Sequence, residues 1–284
     1  MTLGVPLGLG SGLCWGAADF FGGLQSRRLP ALSVVLWSQV AGALALLAAL
    51  AVQGTRPTPP ALAWGVAAGV AGGSALLLFY RGLAEGAMSV VAPVAACGAL
   101  VPVVAAILRG ELPGTVAMLG IVAAVTGVVL VSRSPDPGQH PGGRPGRVLA
   151  LALAAALGFG LFLVFVDAGT ATPGAAPLWV IAGGRAGSLL LLSAIALTLR
   201  RAQAGWPGRR IGAVALVGIA DTTANVLFAL AATTGNLAVV GVLGSLYPVA
   251  TVLLARWLLR ERLSGGQNAG VVLALTGVGL LAAG

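Results

Sequence analysis

The sequence predicts an all-α integral membrane protein with ten transmembrane helices in two inverted five-helix repeats. The chain of 284 residues is 58% hydrophobic and 8% charged, with a mean hydropathy of +1.01. Soluble domains carry about 25% charged residues, so an ordinary soluble fold is excluded. Ten apolar stretches of about 20 residues, the length that crosses a hydrocarbon core, account for most of the chain. A pattern in the first half also recurs in the second half.

Apolar runs between glycine and proline breakers define the helices. In the first half they are predicted at Leu3–Leu24, Leu32–Val52, Ala61–Gly82, Met88–Arg109 and Thr115–Ser132. In the second half they are predicted at Arg147–Asp167, Ala176–Leu199, Ile211–Ala232, Asn236–Leu259 and Gln267–Ala283. This division assigns residues 1–132 to the first repeat, 133–146 to a polar linker and 147–284 to the second repeat.

The recurring pattern is a glutamate, then a glycine, then a Thr-Gly-Val triplet, and the two copies are offset by 150 residues without a gap. The copies are Glu111, Gly120 and Thr126-Gly127-Val128, followed by Glu261, Gly270 and Thr276-Gly277-Val278. Each half is therefore predicted to hold the same five-helix unit. Because five is odd, two copies of one unit enter the membrane with opposite orientations, which is the architecture of many secondary transporters.

Two further features accompany the repeat. Trp15-Gly16 lies in the first helix, and Pro248 lies thirteen residues before Glu261. Together with the positions that follow each glutamate, they resemble the paired EamA repeats of the drug/metabolite transporter superfamily over nearly the whole chain.

The resemblance implies a secondary active transporter that works by alternating access without ATP. The expected substrate is a small organic metabolite such as an amino acid, and export is favoured over import. The expected location is the inner or plasma membrane, as a multi-pass monomer coupled to a proton or ion. The alternative is a channel or a uniporter-like facilitator for small solutes.

Several function classes are excluded by what the sequence lacks. The single histidine, His140, lies in a proline-rich polar loop, which removes histidine-based catalysis inside the membrane. No phosphate-binding GxxxxGK[ST] motif occurs. Cys14 and Cys97 lack the spacing of a metal site. The sixteen basic residues are arginines concentrated in loops, as membrane topology requires, so nucleic acid is not expected as a partner. We therefore predict no enzyme activity, no cofactor and no metal.

Charged residues inside predicted helices are the main site candidates, because each costs about 3 kcal/mol at the centre of a membrane helix. They are Asp19 in the first helix, Arg185 in the seventh, and Asp221 in the eighth with Asn225 one turn later. Asp19 lies nearer a helix end and an interface, which favours a structural role for it over a place in the cavity. One interpretation is a cavity in which Arg185 binds an anionic group and an aspartate binds a cation or proton. The other is an internal ion pair that fixes helix packing.

Aromatic and polar residues complete the candidate cavity: Trp15, Trp37, Gln39 and Tyr247. Tyr80 beside Arg81 is instead predicted to anchor at the membrane interface. Three prolines are candidates for kinks or gating, namely Pro93, Pro102 and Pro248; Gly98 occupies the first-half position that matches Pro248.

Other residues are assigned to packing. Stripes with a small residue at every fourth position let helix backbones approach closely, and they include Gly65-Gly69-Gly73 and Gly183-Gly187. Glu111 and Glu261 are each predicted to stabilise the N-terminus of the helix that follows them.

Membrane orientation has two conflicting predictions. Eleven arginines fall on the side opposite both termini: Arg27, Arg28, Arg133, Arg144, Arg147, Arg200, Arg201, Arg209, Arg210, Arg260 and Arg262. Only Arg56 and Arg109 fall on the same side as the termini, so the positive-inside rule places both ends outside the cytoplasm. The family resemblance implies that both ends lie inside.

Overall fold

The computed structural model describes residues 3–108, 110, 114–133, 144–198, 205–234, 243–244 and 246–283, and the regular elements in these ranges are helices. In the first half they are α1 Gly4–Ser26, α2 Ala31–Gln53, α3 Pro59–Glu85, α4 Met88–Ala96, α5 Leu100–Leu108 and α6 Thr115–Arg133. In the second half they are α7 Pro145–Thr170, α8 Pro177–Thr198, α9 Ile211–Thr234, α10 Tyr247–Leu258 and α11 Gly265–Ala283. The all-α prediction is confirmed for this part of the chain. Predicted Asn236–Leu259 is described only in its C-terminal part, and His140 and Glu111 lie outside the described residues.

Six of the described helical segments are long and apolar enough to cross a membrane. They are Ala31–Gln53, Pro59–Glu85, Met88–Ala105, Pro145–Thr170, Pro177–Thr198 and Gly208–Phe228. Shorter apolar helices occur at Thr115–Leu130, Tyr247–Leu258 and Gly265–Leu281. The chain is therefore a multi-pass membrane protein.

The fourth span is broken near its centre by a 3-10 turn at Cys97–Ala99, between α4 and α5. Pro102 has no N–H to donate to the carbonyl of Gly98, which favours a break at this point, and Pro93 removes another hydrogen bond inside α4. The predicted irregularity is thus found around these two prolines. Pro248 lies in the first turn of α10, where a missing N–H costs little.

Helix packing divides most of the described chain into groups that mix the two halves. Helix α3 packs most extensively against α7 and α8, and we call these three helices the α3 group. Helix α9 packs most extensively against α1 and α2, and we call these the α9 group. Helix α6 packs chiefly against α11. In each group, the third helix of one half lies against the first two helices of the other.

Glycines explain the close approach of α3 and α8. A Cβ atom added to Gly65 would lie 3.0 Å from the Cα of Gly183, and one added to Gly73 would lie 2.8 Å from the Cβ of Ser188. A Cβ atom added to Gly187 would collide with the backbone of Val66. The two predicted glycine stripes therefore face each other, and their packing role is confirmed.

The glycines of the repeated pattern also pack on one another, across α6 and α11. A Cβ atom on Gly120 would lie 3.0 Å from the carbonyl oxygen of Gly277, and one on Gly127 would lie 2.7 Å from the carbonyl oxygen of Gly270. A later residue of α6 thus faces an earlier residue of α11. The two equivalent helices run antiparallel where they cross.

Glu261 caps a different helix from the predicted one. Its carboxylate accepts hydrogen bonds from the backbone N–H groups of Met88 and Ser89, at distances of 3.1 and 2.9 Å, at the start of α4. The helix that follows Glu261, α11, has its own capping box: the N–H of Gln267 donates to the Ser264 hydroxyl, and the N–H of Ser264 donates to the Gln267 side chain. The prediction for Glu261 is wrong, since its two carboxylate oxygens bind the start of α4, and Ser264 and Gln267 provide the cap of α11 instead.

We predict that Gly69→Ala destabilises the fold because the new Cβ would lie 2.8 Å from the Cα of Gly184. Overpacking of this kind costs about 1–3 kcal/mol. The midpoint of thermal unfolding in detergent should fall. Gly212→Ala is the matched control, since the space around this helical glycine is open to 4 Å. Equal midpoints for the two variants would contradict the packing account.

Candidate functional site

A buried arginine on α8 organises the interior of the described protein. Arg185 forms an ion pair with Asp221 of α9 through Nη2, and the same nitrogen donates to the hydroxyl of Thr222 at 3.1 Å. Its Nη1 donates to Oε1 of Gln39 on α2 at 2.8 Å. Three residues selected from the sequence, Gln39, Arg185 and Asp221, therefore meet. Arg185 and Asp221 thus form the internal ion pair that one of the two sequence interpretations expects.

Neighbouring side chains hold this arrangement. The hydroxyl of Ser188, one turn along α8, donates to Oε1 of Gln39 at 2.9 Å. The hydroxyl of Thr222 donates to the carbonyl of Gly42 at 3.0 Å. We call Gln39, Arg185, Ser188, Asp221 and Thr222 the arginine network. Asn225 lies outside it, since its amide donates to the backbone carbonyl of Asp221.

The arginine network joins the two packing groups. Arg185 and Ser188 belong to the α3 group through α8, whereas Gln39, Asp221 and Thr222 belong to the α9 group through α2 and α9. Charged hydrogen bonds in a water-poor interior are strong but depend on accurate geometry. A relative displacement of the groups would therefore act directly on these contacts.

Asp19 is the second interior carboxylate. It lies in the interior of α1, close enough to Asp221 for the two charges to interact. Among the described residues, ion pairs join Arg27 to Glu261, Arg147 to Glu85 and Arg185 to Asp221, and none includes Asp19. Asp19 itself is partly buried.

Aromatic rings surround this region. Trp15, one turn before Asp19, packs against Phe228 of α9 at a centroid distance of 5.6 Å and against Tyr247 of α10 at 6.4 Å. Tyr247 also lies within reach of the charge of Asp19. The backbone places these rings: Gly16 packs directly on α10, where the Thr251 hydroxyl donates to the Gly16 carbonyl at 3.1 Å.

Two aromatic residues lie elsewhere than predicted. Trp37 packs edge-on against Trp206 at 4.8 Å, in the short segment before α9, and does not join the arginine network. Tyr80 is 2% exposed, and its hydroxyl donates to the carbonyl of Ala18 at 3.3 Å. The interfacial assignment of Tyr80 is therefore wrong. Its neighbour Arg81 suggested an interface, but the Tyr80 ring points into the core against Gly22.

The sequence reasoning missed the hydroxyl groups of this site. Ser188 lies three residues after Arg185 and Thr222 directly follows Asp221, so both lie close to a recognised charge in the sequence. A search for hydroxyls within one helical turn of each interior charge would have found them. Single hydroxyl residues are common in membrane helices, so only the neighbouring charges distinguish these two.

Comparison with models of protein families identifies the family of the chain. The model of the EamA-like transporter family matches residues 2–133 and 146–283. The chain belongs to the EamA-like transporter family. Membership places it among the membrane transporters of the drug/metabolite transporter superfamily.

Solved structures agree with the fold of this EamA family member. One, described only as a crystal structure of a protein, is similar with a TM-score of 0.63 and 18% sequence identity. The alignment covers 98% of this chain and 96% of that chain. At this level of identity the likeness shows a shared fold. A search of curated proteins finds no matching sequence.

For this EamA family member we predict that Arg185 and Asp221 are coupled in stability. Arg185→Gln and Asp221→Asn each leave a buried charge without its partner, which costs about 3–5 kcal/mol. The double variant should recover part of that loss, because neither charge is then left alone. Thermal unfolding of the four proteins in detergent measures the coupling.

The exposed pair of Arg147 and Glu85 provides the control cycle. Their side chains are 65% and 27% exposed, so water screens the interaction and the coupling should be close to zero. Additive losses for Arg185 and Asp221 would contradict a stabilising ion pair.

Proposed function

We propose that the chain is a secondary active transporter that moves a small organic metabolite by alternating access, with export favoured over import. The observation that carries this proposal is the interior cluster of Asp19, Arg185 and Asp221, to which both halves of the chain contribute. Ionisable side chains inside membrane helices are costly and are retained chiefly where a solute or ion passes. The family membership supplies the transport class.

The packing supports an inverted repeat as the framework. If the repeats were parallel, the equivalent helices α6 and α11 would cross in parallel, with Gly120 facing Gly270. They cross antiparallel instead, with Gly120 against Gly277. In addition, α3 packs on the first two helices of the second half, and α9 packs on the first two helices of the first half, which agrees with the same symmetry. Such repeats place substrate sites at their interface near the bilayer midplane.

The charges of the cluster favour a substrate with an ammonium group. Arg185 is already paired with Asp221 and bonded to Gln39, so it is not the open partner for an anion. When Asp19 and Asp221 are both ionised, the cluster carries two negative charges and the single positive charge of Arg185. The charge of Asp19 then has no counterion among the described residues. Trp15 and Tyr247 beside it offer ring faces that attract cations. An amino acid or a related amine would bind Asp19 through its ammonium group.

Counterflow in proteoliposomes tests this function. Vesicles loaded with an unlabelled amino acid or amine should accumulate the same labelled solute transiently against its gradient. Asp19→Asn should abolish the accumulation, because the charged partner of the ammonium group is lost, while the thermal midpoint stays close to wild type. Asp167→Asn on α7 is the matched control, since it removes an exposed carboxylate from a helix end, and it should transport normally.

Two results would contradict the proposal. Unimpaired counterflow in the folded Asp19→Asn variant would remove the carboxylate from the substrate site. Unitary currents across planar bilayers, without counterflow, would favour the channel alternative.

The inverted topology predicts labelling from opposite sides of the membrane. Arg56 lies between α2 and α3, and Arg209 lies in the corresponding connection between α8 and α9; both are exposed. In a background without native cysteines, Arg56→Cys and Arg209→Cys each remove one arginine. An impermeant maleimide added to intact cells should label one variant only, and both should react in broken cells.

The same experiment decides the orientation. Labelling of the Arg56→Cys variant places the termini outside, as the arginine distribution predicts. Labelling of the Arg209→Cys variant places them inside. Labelling of both in intact cells would contradict the inverted repeat.

A further inference from the structure

A carboxylate from the second half of the chain sits on a helix of the first half. Glu261, between α10 and α11, accepts the N–H groups of Met88 and Ser89, and its side chain is only 4% exposed. The partial positive charge at a helix N-terminus favours a carboxylate at this place. The contact joins residues that are far apart in the sequence.

Arg27 binds both Glu261 and the backbone that precedes α4. It lies at the C-terminal end of α1, and its Nη2 pairs with Glu261 at 3.3 Å. Its Nε donates to the carbonyl of Leu83 at 3.2 Å, and its Nη2 donates to the carbonyl of Gly86 at 3.0 Å. We call Arg27, Glu261 and the backbone groups of residues 83–89 that they bind the clasp.

The clasp ties together elements that belong to different packing groups, although α1 and α3 also contact each other directly through Gly23 and Leu83. Arg27 follows α1 of the α9 group, and Leu83 belongs to α3 of the α3 group. Glu261 follows α10 and Met88 begins α4, and these two helices also pack on each other. All these groups lie at helix ends or in connections on the side opposite both termini, to which eleven arginines are assigned, and we call this side the arginine-rich face.

We propose that the clasp is the gate of the arginine-rich face: it closes that face when made and releases the α3 and α9 groups there when broken. This inference rests on the proposed transport function, because alternating access requires one face to open while the other is closed. Breaking the clasp leaves a carboxylate, a guanidinium and two N–H groups, all of which water can solvate at a membrane surface. The open state is therefore accessible, unlike one that strands charges in the hydrocarbon core.

Charge is essential to the closed state. In Glu261→Gln, the amide oxygen can accept one N–H, but its NH₂ group faces the other N–H and cannot accept from it. The pair with Arg27 also loses its charge. The Arg27→Gln variant is milder, since it leaves both backbone N–H groups bound to Glu261.

Thiol accessibility beneath the clasp tests the gate without any substrate. Ser89→Cys is the reporter, because the side chain of Ser89 is fully buried and its hydroxyl makes no hydrogen bond within the described structure. The native cysteines are replaced, and an impermeant maleimide is added to the protein in lipid nanodiscs. Arg147→Gln is the matched control: it breaks an ion pair between α7 and α3 that lies inside the α3 group.

The rate of labelling should rise at least about tenfold in Glu261→Gln, the factor that corresponds to about 1.4 kcal/mol. It should rise less in Arg27→Gln and remain at the wild-type value in Arg147→Gln. Folded Glu261→Gln protein that labels at the wild-type rate would overturn the gate, as would equal acceleration by Arg147→Gln. If Glu261→Gln fails to fold, a wild-type rate in folded Arg27→Gln overturns it.

The two proposals can fail separately. Clasp-dependent labelling in a protein that shows no counterflow would contradict the transport function and support an opening of this face. Normal counterflow, together with a labelling rate that does not change when the clasp is broken, would contradict the gate alone.

Discussion

The arginine network is the constraint on which the interior depends. A guanidinium inside a membrane protein has no bulk water to solvate it, so protein groups must do so. Arg185 reaches its partners because the backbones around it approach closely. A Cβ atom on Gly42 would lie 2.7 Å from the Thr222 hydroxyl and 3.4 Å from Cζ of Arg185. Glycine at this position thus provides the room that the guanidinium and its acceptors occupy.

Two kinds of contact follow from this arrangement. Within the α3 group, helices are held by backbone approach along glycine stripes, which tolerates little change in shape. The arginine network and the clasp instead connect the groups through directional, charge-assisted hydrogen bonds that can exchange partners. The groups also touch directly, since Gly22 and Gly23 of α1 pack on Tyr80 and Leu83 of α3, so the network and the clasp supply the directional part of the connection. Asp19 lies on α1, in the α9 group, close to the network that joins the two groups.

The fold was predictable from the sequence because membrane helices must satisfy their own backbone, which leaves long apolar runs as the sign of each span. The glycine stripes were also predictable, since their spacing places them on one face of a helix. The partner of Glu261 was not, because a capping contact across 172 residues leaves no local pattern. Tyr80 was misassigned for a similar reason. The direction of its ring depends on contact with Gly22 of α1, and no sequence pattern around Tyr80 indicates that contact.

We expect the α3 and α9 groups to move relative to each other as units. Distances between spin labels in lipid nanodiscs test it most directly, with labels on cysteines at the exposed positions Arg28, Gly146 and Thr198. The pair Gly146 and Arg28 spans the two groups, and the pair Gly146 and Thr198 lies within the α3 group. The account predicts two distance populations for the first pair and one for the second. A single population for both pairs, or two populations for both, would contradict it.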